Sequence, residues 1–256
     1  MITCLEDERI AQALLLRQVE HRNRAKRFLV SGIRLVEETL KTTARPEMVF
    51  HTASLDRSKN GRALLAELER FSVEHHLVSP DVMQALGAQG VLAVSPLPRV
   101  PALSCPALVL IADRVRKAHD LATILRSAAA AGVDQVWVAP WSIDAYDFDV
   151  VRQAMGVHLR LSIRKMSWKA IYRAAAEMLV LLAGGQKNTP YNEIVWRWPV
   201  ALIITGKAGD PSAKAQALAH VSITTPLTSD QAPLNVAMAA GVVLFEVAQR
   251  KPHPSS

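Results

Sequence analysis

Hydrophobic positions along the chain switch repeatedly between two periods. Arg27-Phe-Leu-Val30 and Met48-Val-Phe50 are short apolar runs of strand type, with further strands at Val78 and Gly90–Val94. Between them, Arg34–Leu40 carries apolar residues at 35, 36 and 40, and Gly61–Phe71 carries Leu64, Leu65, Leu68 and Phe71, which is helical spacing. Ser79-Pro80-Asp81 opens another short helix, with proline in a first turn where its missing N–H costs nothing. These elements predict a small α/β domain over residues 1–96.

Four prolines (96, 98, 101 and 106) then stiffen the chain and predict a linker over 97–106. Beyond it, strands are expected at Ala107–Ala112, Gln135–Ala139, Arg160–Ile163, Val180–Leu182, Val200–Ile204 and Val221–Ile223. The first is continuously apolar, as a sheet covered on both faces requires. Helices fit Asp120–Ala131, closed by Gly132, and Val150–Met155, Trp168–Glu177 and Leu234–Gln249. Such alternation over 107–251 predicts a mainly parallel sheet, with ligands beyond the carboxyl ends of its strands. The last helix is apolar around nearly its whole circumference, which predicts burial.

Composition narrows the class. Half of the 256 residues are hydrophobic, enough for a packed core, and no apolar run approaches the ~20 residues of a membrane helix. Glu6, Asp7 and Glu8 stand where a secretory leader carries positive charge, so a cytoplasmic protein is expected. Two cysteines, Cys4 and Cys105, make neither a disulfide framework nor a zinc site. The net charge is +7, of which +6 lies in residues 99–256. A separate basic strip runs from Arg17 to Arg45, densest at Arg22-Asn-Arg-Ala-Lys-Arg27. It is either a solvated helix face or a phosphate-contacting patch.

Several chemistries are excluded for want of their motifs. Gly206-Lys207 is followed by Ala208, so there is no P-loop, and GxGxxG, HExxH, GxSxG and CxxC are all missing. Three loop-to-helix junctions remain. In the first, Leu121, Ile124, Leu125, Ala128 and Ala129 form an apolar helix face and Arg126 lies well away from its centre. Arg126 is there either a solvent-facing arginine or a functional one, and Asp120 either an N-cap or a catalytic carboxylate. The second, Thr205–Ser212, carries two glycines that allow close backbone approach to a ligand or an ordinary turn. The third leads from Thr225 to Asn235, whose amide is a helix cap or a ligand contact.

Taken together, these blocks resemble the SpoU (TrmH-like) branch of the SPOUT methyltransferases. The resemblance rests on His21–Leu40, on Gln89-Gly-Val-Leu-Ala-Val94 and on Asp120-Leu-Ala-Thr-Ile-Leu-Arg-Ser-Ala-Ala-Ala-Ala-Gly132. It extends through Ser142–Gly156 and Thr225-Pro-Leu227 to Pro233–Glu246. It implies a ribosomal-protein-like α/β substrate-binding domain followed by a SPOUT domain with a parallel sheet and a deep trefoil knot. It further implies a homodimer that binds S-adenosylmethionine and methylates a ribose 2′-oxygen in rRNA or tRNA. By the same resemblance Arg126 activates the hydroxyl, and Asp120 and Asn235 belong to the catalytic set. Thr205, Gly206, Lys207, Thr225, Leu234 and Asn235 hold the cofactor. Arg22, Arg24, Lys26, Arg27, Arg34 and Arg116 face RNA. The chain departs from the family pattern at Asp120 (usually asparagine), Lys207 (usually glutamate) and Pro233 (usually serine), and the loop usually reading DPGN is Lys117-Ala-His-Asp120. Those departures keep two other readings open: an inactive RNA-binding homologue, and a methyltransferase redirected to a small molecule.

Overall fold

In the computed structural model, which describes residues 1–183, 189–190, 193–206, 210–224 and 236–251, the chain divides into two units. The first comprises Met1–Arg99 and Tyr146–Leu159; the second comprises Val100–Ala145 and the chain from Arg160 onward. The division falls between Arg99 and Val100, within the proline-rich stretch. Tyr146–Leu159 departs from the sequence partition, which placed it in 107–251. The reason is packing: Phe148 and Val151 are buried in two hydrophobic clusters of the first unit.

The first unit contains helices α1 (Glu8–Leu15) and α2 (Val19–Ala25), strand β1 (Arg27–Ser31), helix α3 (Ile33–Leu40) and strand β2 (Met48–His51). Helix α4 (Lys59–Arg70), β3 (Glu74–Leu77), α5 (Pro80–Ala85) and β4 (Val91–Pro96) follow. The sheet order is β1-β4-β2-β3, with β4 antiparallel to both neighbours and β2 parallel to β3. Phe28 and Val30 bury on one face of β1 and Leu29 on the other, so both faces are covered. Ser79 caps α5 as expected, its hydroxyl accepting from the Val82 amide at 3.3 Å. The strand expected at Val78 ends one residue earlier; Val78 instead makes an isolated bridge with Ile2.

In the second unit, β5 (Leu108–Asp113), α6 (Ala118–Ala130) and β6 (Gln135–Val138) lead to β7 (Ser162–Lys165), α8 (Trp168–Ala174) and β8 (Leu179–Ala183). Helix α7 (Phe148–Gln153) lies in the excursion through the first unit. Then come β9 (Thr189–Pro190), β10 (Val200–Thr205), α9 (Ala213–Leu218), β11 (Val221–Thr224) and α10 (Val236–Gln249). The sheet is parallel throughout, in the order β7-β6-β5-β10-β8-β11-β9. Every residue of β5 and β10 is buried, which explains why each is apolar up to its last residue, Asp113 in β5 and Thr205 in β10. Asp134 fastens the start of β5 by accepting the Ala107 and Leu108 amides at 2.8 Å each, while its other oxygen receives Lys251 Nζ at 2.8 Å. The expected trefoil knot falls on residues 225–235, which lie outside the described residues.

Candidate active site

Strand order fixes where a ligand can sit. From β5 the chain moves outward through β6 and β7, and β8 and β11 lie on the other side of β10. This reversal makes the carboxyl ends of β5 and β10 the switch point of the sheet, the usual ligand position in parallel α/β folds. Asp113 and Thr205 are register partners there. Asp113 is fully buried; one carboxylate oxygen accepts the Ser212 amide at 2.8 Å and the other has no hydrogen-bond partner among the described residues. Burial raises its carboxyl above the ordinary value, partly offset by the Ser212 bonds. The Gly206 amide donates to the Asp113 carbonyl at 2.9 Å. Asp113 therefore fixes both Gly206 and Ser212.

The glycine at 206 has a different purpose from the one expected. A Cβ there would be driven into the carbonyl of Arg114, so it is the chain's own backbone, rather than a ligand, that demands glycine. The facing loop is pinned by Ser142, whose hydroxyl donates to the Ala112 carbonyl at 3.0 Å and accepts the Val115 amide at 3.1 Å. Arg114 pairs with Asp210 at 3.5 Å across these loops, and Arg116 is exposed beside it.

Helix α6 starts from this loop. Its N-cap is Lys117, without a side-chain bond, so Asp120 is not the cap but a first-turn residue. A carboxylate there is favoured by the helix's positive end. It is 7% exposed and makes no hydrogen bond with a described residue. Leu121, Ile124, Leu125 and Ala128 bury as the wheel predicted, with Ala122 in place of the exposed Ala129. Arg126 is exposed, and its guanidinium makes no hydrogen bond or ion pair with a described residue. Helix α10 packs on α6 and buries Ala237, Ala240, Val243, Leu244 and Val247. Contrary to expectation it is not buried all round: Met238, Val242 and Phe245 form an exposed stripe.

Thr205 is buried at the strand end, whereas Lys207, Thr225, Pro233, Leu234 and Asn235 lie outside the described residues. In the first unit, the basic strip separates into two kinds of residue. Arg22 is 3% exposed and donates to the carbonyls of Leu16 at 2.9 Å and Arg17 at 2.8 Å. Its expected contact with RNA is therefore corrected to a structural role, because buried carbonyls need the donor more than solvent does. Arg24 and Lys26 are exposed; Arg27 pairs with Glu47, and the highly exposed Arg34 pairs with Glu38. Sequence reading missed Asp113, although a carboxylate directly after an apolar strand was the available signal.

A parallel sheet with a strand inserted at its switch point, carrying on the adjoining helix an exposed arginine with no partner among the described residues, has the build of a ligand-binding α/β unit, and a second unit accompanies it. The AdoMet-bound rRNA methyltransferase from Sinorhizobium meliloti has this fold, with TM-score 0.81, 22% identity and 97% of each chain covered. The chain belongs to the SpoU rRNA Methylase family, which matches residues 107–245, and residues 7–93 match the MRM3-like substrate binding domain. It is 27% identical to the mitochondrial rRNA methyltransferase 3A of Danio rerio over 94% of this chain and 68% of the relative. It is 25% identical to the 23S rRNA guanosine 2′-O-methyltransferase RlmP of Bacillus subtilis (strain 168) over 96% of this chain and 98% of the relative.

Proposed function

We propose that the protein transfers a methyl group from S-adenosylmethionine to a ribose 2′-oxygen of ribosomal RNA. The observation that carries this reading is the match of both units, SpoU methylase over 107–245 and substrate-binding domain over 7–93. Ribosomal RNA is favoured over tRNA because the zebrafish and Bacillus relatives are both named for rRNA. When bound, S-adenosylmethionine supplies an electrophilic methyl group. The residues present fit such a cofactor: Asp113 fixes the Gly206 and Ser212 backbone at the switch point, where parallel α/β sheets place their ligands. Thr205, Gly206, Lys207, Thr225, Leu234 and Asn235 are the residues proposed to hold it.

A ribose hydroxyl is a poor nucleophile at neutral pH, so the protein must favour its deprotonated form. Arg126 is assigned that role, its positive charge stabilising the developing alkoxide. Asp120, without a hydrogen bond to any described residue in the first turn of the same helix, is assigned a positioning role together with Asn235. Arg24, Lys26, Arg27, Arg34 and Arg116 are proposed to meet phosphates.

The protein acts as a homodimer in this reading. Met238, Val242 and Phe245 support it, since their spacing makes one apolar stripe on a helix that otherwise faces the core. No helix among the described residues is long and apolar enough to cross a membrane. A cytoplasmic location is proposed, in keeping with two exposed free cysteines. Calorimetric titration with S-adenosylmethionine gives the first test. Micromolar binding is expected, and no heat from folded protein would overturn the reading.

A further inference from the structure

The motif Gln89–Val94 has a structural use for all its residues but one. Val91, Leu92 and Ala93 are buried in β4, and Gly90, at φ +76°, presents its carbonyl to the Thr52 amide at 2.9 Å. Gln89 is exposed, and its amide makes no hydrogen bond with a described residue. It lines a cavity of about 730 Å³ at the end of the sheet where β2 finishes and β4 begins. That volume falls in the ~300–1,000 Å³ range of small-ligand sites.

The lining has a consistent chemistry. Arg57 and Gln84 join Gln89 there, exposed and likewise without side-chain partners among the described residues. Thr52 and Ser54 add a hydroxyl pair 2.7 Å apart, and buried Val78 gives an apolar floor. No carboxylate lines this cavity. Two others in the same unit carry carboxylates, Glu6 and Asp7 beside Arg9 in one and Glu8, Glu47 and Glu74 beside Arg9 and Arg27 in the other, so their acidic groups outnumber their arginines and suit a polyanion less well. A free guanidinium suits phosphate, carboxamides suit the donor and acceptor pairs of base edges, and hydroxyls suit a ribose.

We infer that this pocket, formed by Thr52, Ser54, Arg57, Gln84 and Gln89, takes an unpaired nucleotide of the RNA substrate. The inference rests on the RNA-methylase reading above and deepens it. It also relocates recognition within the first unit. Arg27 pairs in register with Pro96, at the opposite end of β4 from Gly90, so the pocket lies away from Arg27, whereas Arg17, the first residue of the basic strip, donates to the Leu86 carbonyl at 3.3 Å beside the pocket's Gly87. Arg34 shares the pocket's end, because α3 begins where the Gly32 amide meets the Val91 carbonyl.

The test uses the full chain, a short fluorescein-labelled single-stranded RNA of mixed sequence, and anisotropy across a salt series. Arg57→Ala should weaken binding several-fold and reduce the log–log salt slope by about 0.7, the value for one single-strand phosphate. Gln89→Ala should weaken binding at least about fivefold with the slope unchanged. With 4-thiouridine in the probe, crosslinks should fall on the peptide from Gln84 to Gln89. Wild-type affinity in both variants, alongside a loss in Arg24→Ala, would overturn the pocket and leave the RNA reading standing. Failure of the wild-type chain to bind RNA at any salt would bring down both.

Discussion

Gly206 and Arg114 come so close that residue 206 has no room for a side chain, since a Cβ would be driven into the Arg114 carbonyl. Both lie at strand ends that meet at the switch point, so this contact sets the direction in which the chain leaves β10 at Gly206. Gly206→Ala should cost about 1–3 kcal/mol, the range for overpacking at a site that cannot give way. Urea unfolding measures this, and the affinity for S-adenosylmethionine should fall with it.

Asp113 predicts a pH dependence whose sign is fixed by burial. Its carboxyl is raised above the ordinary 3.8, so the native state favours the protonated form. That contribution is fully present below the ordinary value and is lost as pH rises through the raised one. Asparagine keeps an oxygen for the Ser212 amide but cannot ionise. The unfolding free energy of the wild type should therefore decline relative to Asp113→Asn as pH rises from 4 to 8. Parallel curves for the two proteins would contradict the assignment.

Arg22 and Arg24, two residues apart on one helix, should separate stability from binding. Removing the Arg22 side chain strands the Leu16 and Arg17 carbonyls, at a cost of about 1–3 kcal/mol for a buried unsatisfied group. Arg24→Ala should change stability by no more than about 0.5 kcal/mol, as exposed substitutions do. Its effect should instead be weaker RNA binding with a shallower salt slope.

The α10 stripe gives a prediction about assembly. Phe245→Glu places a charge among Met238 and Val242 without touching the buried face of the helix. Sedimentation should show a dimer for the wild type and a monomer for the variant at the same concentration, with unchanged helix content.

Much of this fold was legible because burial and periodicity coincide in it. The unbroken apolar runs of β5 and β10 and the wheel of α6 come straight from a sheet covered on both faces. Where side chains were polar, the signal was lost. Glu74-His-His of β3 carries no strand pattern because it lies at a sheet edge, and α1 was not anticipated at all. A run of arginines looks like one solvated face, and only three-dimensional proximity to two carbonyls turns Arg22 inward. The requirement for glycine at 206 was equally hidden, since it arises from a neighbour far away in sequence. Arg126 and Asp120 were legible through motif resemblance, while their lack of partners among the described residues was visible only in the structure.

Methyl transfer from labelled S-adenosylmethionine to ribosomal RNA lacking the modification tests the central claim most directly. The wild type should transfer label into alkali-resistant dinucleotides, the mark of a 2′-O-methyl group. Arg126→Ala should retain cofactor affinity and lose about 10²–10⁴-fold in rate, the range for one acid–base or activating group. A folded wild-type protein that binds the cofactor yet labels no RNA, or labels it in an alkali-labile position, would contradict the account.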